Sequence, residues 1–208
     1  MIENARSIVY TRCAIPPDAL DTKARIWILC DAADGGIMVG VYACFRLKDN
    51  KWSCANLFGK GLLAPEGWTI PKKELHALCT ACDVKIVVER ALEDWIDCIY
   101  IGGDSEISLA WCIYENVKLL PFHRNRVNNV RTKVDMSMLH HVQGVENPSD
   151  IGTRPDLISV DDIMPGSTWL TGKDWMKLPY EDALKTGVIK TVKDIKLNND
   201  EKKKLRRE

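Results

Sequence analysis

Apolar residues run unbroken through Ile26-Trp27-Ile28-Leu29-Cys30, between Arg25 and Asp31. A run of that length, rich in β-formers, predicts a strand over 24–31. Asp34-Gly35-Gly36 is a hairpin turn signal, and the apolar stretch 37–46 after it predicts a second strand. Lys48-Asp49-Asn50-Lys51 is another turn, followed by a third strand over 52–59. Pro65 and Gly67 mark a loop, and Pro71 opens a helix over 71–92, with Leu75, Leu78, Cys82, Ile86 and Val87 at helical spacing. A fourth strand is expected over 96–102, helices over 105–116 and 123–133, and a fifth strand over 136–143. Asn147-Pro148-Ser149-Asp150 has the chemistry of a helix start: Asn as N-cap, Pro in the first helical position, an acid in the first turn.

Three strands joined by tight turns make an antiparallel meander. Strands and helices that alternate afterwards extend it into a mixed five-stranded α/β sheet with helices on its faces. The 208 residues suit one hydrophobic core with an extension. Residues 1–23, with Pro16-Pro17, form a lead-in, and 24–156 hold the predicted elements. Residues 157–208 are an extension with a Trp-bearing segment, 168–175, and a charged tail, 201–208. The tail is expected to be a solvated run of charge.

Charge is balanced at 29 basic and 29 acidic residues, so net charge points to no class of partner. The eight cysteines mostly sit inside apolar runs, the pattern of buried free thiols. Cys79-Thr80-Ala81-Cys82 has no second pair to complete a zinc site and lies within the helical pattern, so it is expected to be two small buried residues. The first residues lack the apolar core of a signal peptide, and no stretch is long enough to span a membrane. An intracellular, reducing setting and no membrane partner are expected.

Four acids stand at element ends: Asp31, Glu74, Asp104 and Asp150. Each has a local explanation as a turn or cap residue. Glu74, however, shares a helix face with Leu78, Ala81 and Cys82, and an apolar strand delivers Asp31 to a sheet end. The first and fourth strands are expected to be neighbours, which brings Asp31 and Asp104 together. Two carboxylates about 4 Å apart repel by roughly 4 kcal/mol at an effective dielectric near 20. Such a cluster takes up protons or binds cations. Oxygen ligands without His or Cys favour Mg²⁺ or Mn²⁺, and two such ions suit phosphodiester hydrolysis.

These residues also resemble a known family. Asp31-Ala32-Ala33 with Gly40 resembles the D-A-S…Y-G-A opening of retroelement ribonuclease H domains. Thr69-Ile70-Pro71-Lys72-Lys73-Glu74-Leu75 is similar to the T-I-P-x-x-E-L helix start of the Pao/BEL class of long-terminal-repeat retrotransposons. Gly103-Asp104-Ser105…Trp111 resembles that class's S-D-S…W, and Phe122-His123-Arg124-Asn125-Arg126-Val127 its F-x-x-N-R-V. His141-Val142-Gln143-Gly144…Asn147-Pro148-Ser149-Asp150…Thr153-Arg154 is similar to H-V-P-G-x-x-N-P-A-D-x-x-S/T-R. Trp169…Gly172-Lys173-Asp174-Trp175 is similar to the W-x-x-G-P-x-W-L that follows the domain. The resemblance covers about residues 25–176.

It implies the ribonuclease H fold and cleavage of the RNA strand of RNA–DNA hybrids with two Mg²⁺ or Mn²⁺ ions. Asp31 would bridge both ions, Asp150 would hold the ion that activates water, and Glu74 and Asp104 the ion on the leaving-group side. Thr69, Lys72, Ser105, Arg124, Asn125 and Arg126 are the implied nucleic-acid contacts; a solvated helix face is an equal reading for Arg124 and Arg126. The implied partners are the hybrid and the reverse transcriptase and integrase segments of one polyprotein. The implied setting is a cytoplasmic virus-like particle or the nucleus. Gln143 and Gly103 depart from the family pattern, and the short loop 143–149 lacks the mobile His that many ribonucleases H carry before the last acid. His140 and His141, earlier in the strand, are expected to be structural. A captured or decayed copy acting as a non-catalytic binding module is the rival reading, and a DNA-cleaving relative of the fold a third.

Overall fold

The computed structural model describes residues 13–114, 118–154, 156 and 158–195. The lead-in over 1–12, part of the expected helix end at 115–116 and the charged tail 201–208 lie outside the described residues.

Strand β1 (Ala24–Ala32) is central and buried along its whole length. That explains an apolar run without alternation: both of its faces are covered. It pairs antiparallel with β2 (Gly36–Arg46), which pairs antiparallel with β3 (Trp52–Leu63). On its other side β1 pairs parallel with β4 (Ile96–Gly103), and β4 parallel with β5 (Leu139–Val142). A sixth strand, β6 (Ile189–Thr191), adds antiparallel to β5, giving the order β3-β2-β1-β4-β5-β6. The expectation of five strands is corrected here. Only three residues long and with only Ile189 buried, β6 is too short to show any alternation in sequence.

One face of the sheet carries α1 (Ile70–Leu92), α2 (Glu106–Ile113) and α3 (Pro121–Lys133). Ile26, Ile28 and Cys30 of β1 meet Leu75, Leu78, Cys82, Leu109, Trp111 and Val127 there. Cys79 and Cys82 are two buried thiols on α1. The alternate residues of β1, Trp27 and Leu29, point to the other face, where Tyr42 and Val142 also lie. That face is covered from beyond residue 156, by Trp175, Met176, Ala183 and Ile189. Arg25, buried in β1, donates to the carbonyls of Met176 (2.9 Å) and Leu178 (2.6 Å) and stacks on Trp52. The segment that lacks periodicity in sequence forms short helices, α5 (Thr168–Thr171) and α6 (Tyr180–Lys185), around a 3₁₀ turn at Asp174–Lys177. Trp169 of α5 lies over paired Gly40 and Gly59, where an added Cβ on either would come within 3.0–3.5 Å of the ring.

Smaller differences have local causes. The fifth strand is expected over 136–143, but Met136–Met138 form a 3₁₀ turn whose leading Asp135 accepts from the Ser137 amide. α3 starts two residues before the expected 123, because Pro121 supplies a first helical position. Glu74 falls in the second turn of α1, whose first turn holds no acid.

Candidate active site

The three parallel strands β1, β4 and β5 end at the same sheet edge. Asp31 lies next to last in β1, Asp104 follows β4 directly, and Asp150, first residue of α4 (Asp150–Thr153), follows β5 by a short loop. Glu74 comes from α1, which packs on β1 and β4. Asp31, Glu74 and Asp104 line one narrow cleft with Cys30, Gly103 and Ser105. Asp150 lines a separate cleft, and its charge acts on both Asp31 and Asp104.

The electrostatics follow from burial. Asp31 is 6% exposed. Burial first, then the charges of Asp104 and Asp150, push its carboxyl up to about 6, against the pull of a hydrogen bond from Thr153. Burial and then the Asp31 charge raise Glu74 above the usual carboxylate range. Asp104 is raised by burial, then by Glu74 and Asp150, while a hydrogen bond from Asp31 opposes the rise. Raised values of this kind mark a cluster that disfavours its own ionisation.

All four acids have a protein partner, that of Asp104 being the Asp31 carboxyl. Thr153 Oγ1 donates to Asp31 Oδ2 at 2.5 Å, and Ser105 Oγ to Glu74 Oε2 at 2.5 Å. Arg154 pairs with Asp150 Oδ1 at 2.8 Å. Among the described residues no three His, Cys, Asp or Glu side chains converge on a point that could hold a metal ion. By donor type the set fits a hard divalent cation: it is all oxygen, and its like charges raise one another's pKa.

The loop before Asp150 differs from its expected form. Asn147 does not cap a helix; Ser149 precedes α4, without a side-chain cap bond. Asn147 instead bridges elements: Nδ2 donates to Cys30 O at 2.8 Å, and Oδ1 accepts from the Ser149 amide at 3.1 Å. Ser149 Oγ donates to Leu29 O at 2.8 Å. Both tie the loop to β1 near Asp31. Gly144 sits against Asp104, where an added Cβ would come 3.0 Å from Oδ2.

The remaining residues singled out in sequence fall into two groups. Ser105 is engaged inside the site: besides its bond to Glu74 it is the N-cap of α2, accepting from the Ser108 amide at 3.2 Å. Thr69 and Lys72 lie at the start of α1, and Arg124, Asn125 and Arg126 on α3. Arg124 and Asn125 are exposed. Arg126 is not a plain solvated side chain, since its guanidinium stacks on Phe122 at 3.6 Å and on Trp68 at 5.0 Å. Trp68 and Phe122 meet edge to face at 4.8 Å, and Lys72 lies over Phe122 at 5.8 Å. Sequence reasoning missed Trp68, whose signal is its place directly before the Thr69-Ile70-Pro71 helix start. His140 and His141 are buried, with His140 Nε2 2.7 Å from the Tyr180 hydroxyl and His141 Nε2 3.1 Å from Asp104 O.

Comparison with known proteins follows this geometry. Residues 2–105, half of the chain, match the family described as Pao retrotransposon-like RNaseH-like domain. The match includes Asp31, Glu74 and Asp104 and ends before Asp150. The chain is similar to the crystal structure of RNase H1 from the halophilic archaeon Halobacterium salinarum NRC-1. The identity is 16% over 64% of this chain and 98% of that one, with a TM-score of 0.40. No curated protein matches the sequence.

Proposed function

We propose a function from one premise: the chain belongs to the Pao retrotransposon-like RNaseH-like domain family. Family and fold support a nuclease-type role. The reading is a divalent-cation-dependent endonuclease that hydrolyses the RNA strand of RNA–DNA hybrids. The observation that carries it is the cleft where three strand ends and α1 bring Asp31, Glu74 and Asp104 together under the charge of Asp150.

Asp31, Glu74, Asp104 and Asp150 would hold the cations, two by analogy with the ribonuclease H reaction. Bound Mg²⁺ or Mn²⁺ supplies an acidified water and charge neutralisation at the leaving oxygen. The chain's own residues set the stage. Thr153 and Ser105 orient Asp31 and Glu74 by hydrogen bonds. Asn147 and Ser149 fix the start of the Asp150 turn on β1. The stacked cations Arg126 and Lys72, with Trp68 and Phe122, form a basic and aromatic surface where α1 and α3 begin. That surface suits the phosphate backbone of the hybrid. Within a retroelement polyprotein, the partners would be the reverse transcriptase and integrase segments.

The test is cleavage of a labelled RNA–DNA hybrid by the purified full chain with Mg²⁺ or Mn²⁺. Cleavage confined to the RNA strand, and lost in Asp104→Asn with the fold retained, supports the reading. An uncut hybrid with ample metal favours a non-catalytic module instead. Cut duplex DNA with an intact hybrid favours a DNA-cleaving relative.

A further inference from the structure

The loop that leads to Asp150 is held from two sides. From the sheet, Asn147 and Ser149 bind β1, and Gly144 abuts Asp104. From the other side, four contacts come from beyond residue 168. Trp175 Nε1 donates to Glu146 O at 3.0 Å. Lys173 Nζ donates to Val145 O at 3.1 Å. The Gln143 backbone N–H donates to Val188 O at 3.0 Å and its side-chain Nε2 to Gly187 O at 3.2 Å. Trp175 is itself fixed, 3% exposed and edge-on to Trp27 at 4.9 Å. Gly172, at φ +69°, admits the turn that places it; an added Cβ there would come 2.8 Å from Cys54 Sγ.

We infer that the segment 168–191 positions the site, and that Trp175 and Lys173 are positioning residues that fix the loop 143–149, and through it Asp150. The inference rests on reading Asp150 as a cation-holding carboxylate. Its physical basis is the distribution of anchors. Asn147 and Ser149 secure the end of the loop nearest Asp150. Among the described residues the 3₁₀ turn Gly144–Glu146 has no side-chain cap bond; its carbonyls at 145 and 146 are taken by Lys173 and Trp175. Val145 is 78% exposed, so no core packing replaces those bonds. A carboxylate that must meet a cation within a few tenths of an ångström depends on such support.

The experiment uses the full chain with Trp175→Phe, which keeps an aromatic ring against Trp27 and removes the indole N–H with the rest of its five-membered ring. Lys173→Met is a second variant that keeps the stem and removes the donor. Tyr180→Phe is the comparator: it removes the His140 contact from the same segment, away from the loop. Amide hydrogen exchange over 143–150 is the first readout. About five-fold faster exchange is expected for Trp175→Phe and Lys173→Met, the effect of losing one hydrogen bond worth about 1 kcal/mol, with α1 unchanged. The Mg²⁺ concentration that half-saturates the metal-induced rise in Tm is the second, expected several-fold higher in both. Tyr180→Phe should match the parent in both readouts. Unchanged loop exchange in Trp175→Phe and Lys173→Met overturns the inference. So does Tyr180→Phe loosening the loop as much as they do, because generic stability then explains the effect. A parent that neither cleaves hybrid nor responds to Mg²⁺ sinks the proposed function, while the exchange data still decide whether the segment fixes the loop.

Discussion

Asp31→Asn isolates the central charge of the cluster. Asn keeps the shape and an oxygen for the Thr153 hydroxyl, and removes the ionisable group. Burial and the neighbouring acids raise the Asp31 carboxyl to about 6, from an ordinary value near 4. The folded-state value lies above the unfolded one, so the folded form binds the extra proton. The associated stabilisation is complete below about pH 4 and is lost as pH rises through about 6. At about 1.4 kcal/mol per pH unit, the metal-free protein forgoes roughly 3 kcal/mol at neutral pH. Asn returns this. The value of about 6 already contains the pull of the Thr153 bond, so the net gain at neutral pH is roughly 3 kcal/mol. For a chain of this size that is about 6–12 °C in Tm. The assay is thermal unfolding of parent and variant, with chelator, from about pH 4 to about pH 8. The two should coincide at the acidic end and separate as pH rises, the variant becoming the more stable. A residual slope is expected in both, since burial also raises Glu74 and Asp104. Saturating Mg²⁺ should then close the gap by stabilising the parent, while the variant cleaves no hybrid. A variant less stable than the parent at neutral pH without metal, or an advantage that does not depend on pH, would falsify the electrostatic account.

Thr153→Val removes the donor that opposes the rise of Asp31. The acidic limb of the pH–rate profile should move up by about one pH unit, the worth of a hydrogen bond to a charged group; an unmoved limb sinks the assignment. Arg126→Ala strips the guanidinium from Phe122 and Trp68. Hybrid affinity should fall and its log–log salt slope should shrink by about one, as measured by titration at several salt concentrations. An unchanged slope would mean that Arg126 serves packing alone. Gly102→Ala would place a Cβ 2.7 Å from Val142 and 2.8 Å from Leu29. Denaturant unfolding should show a loss of about 1–3 kcal/mol from overpacking between β1 and β5, and equal stability would contradict the tight packing there.

The adjacency of Asp31 and Asp104 was legible because two apolar runs, separated by a long helix, obey the parallel crossover rule, and each ends in an acid. The direction of Glu74 was legible from its helix face. Other features depend on partners far away in sequence. Asn147 has the chemistry of an N-cap, but a carbonyl of β1 competes for its amide, and only the fold places Cys30 beside it. Ser105 reads in sequence as a substrate contact, and only the fold shows that its hydroxyl donates to Glu74. Trp68 and Phe122 join only because α1 and α3 pack side by side. The second cover of the sheet was hidden for a related reason. Its short helices and three-residue strand bury single side chains into a surface built by other elements, so no period forms along the chain.

That cover also sets a clock on synthesis. Arg25 waits for carbonyls 151 and 153 residues later in the chain. A growing chain can assemble the sheet with α1, α2 and α3 once β5 has emerged, yet Trp27 and Tyr42 then still face water on the other side. Making the stretch from residue 156 to 192 takes about 2 to 7 s at roughly 5–20 residues per second. For that interval the nascent protein carries an uncovered aromatic face, the kind of surface that chaperones bind and that draws unfinished chains into aggregates.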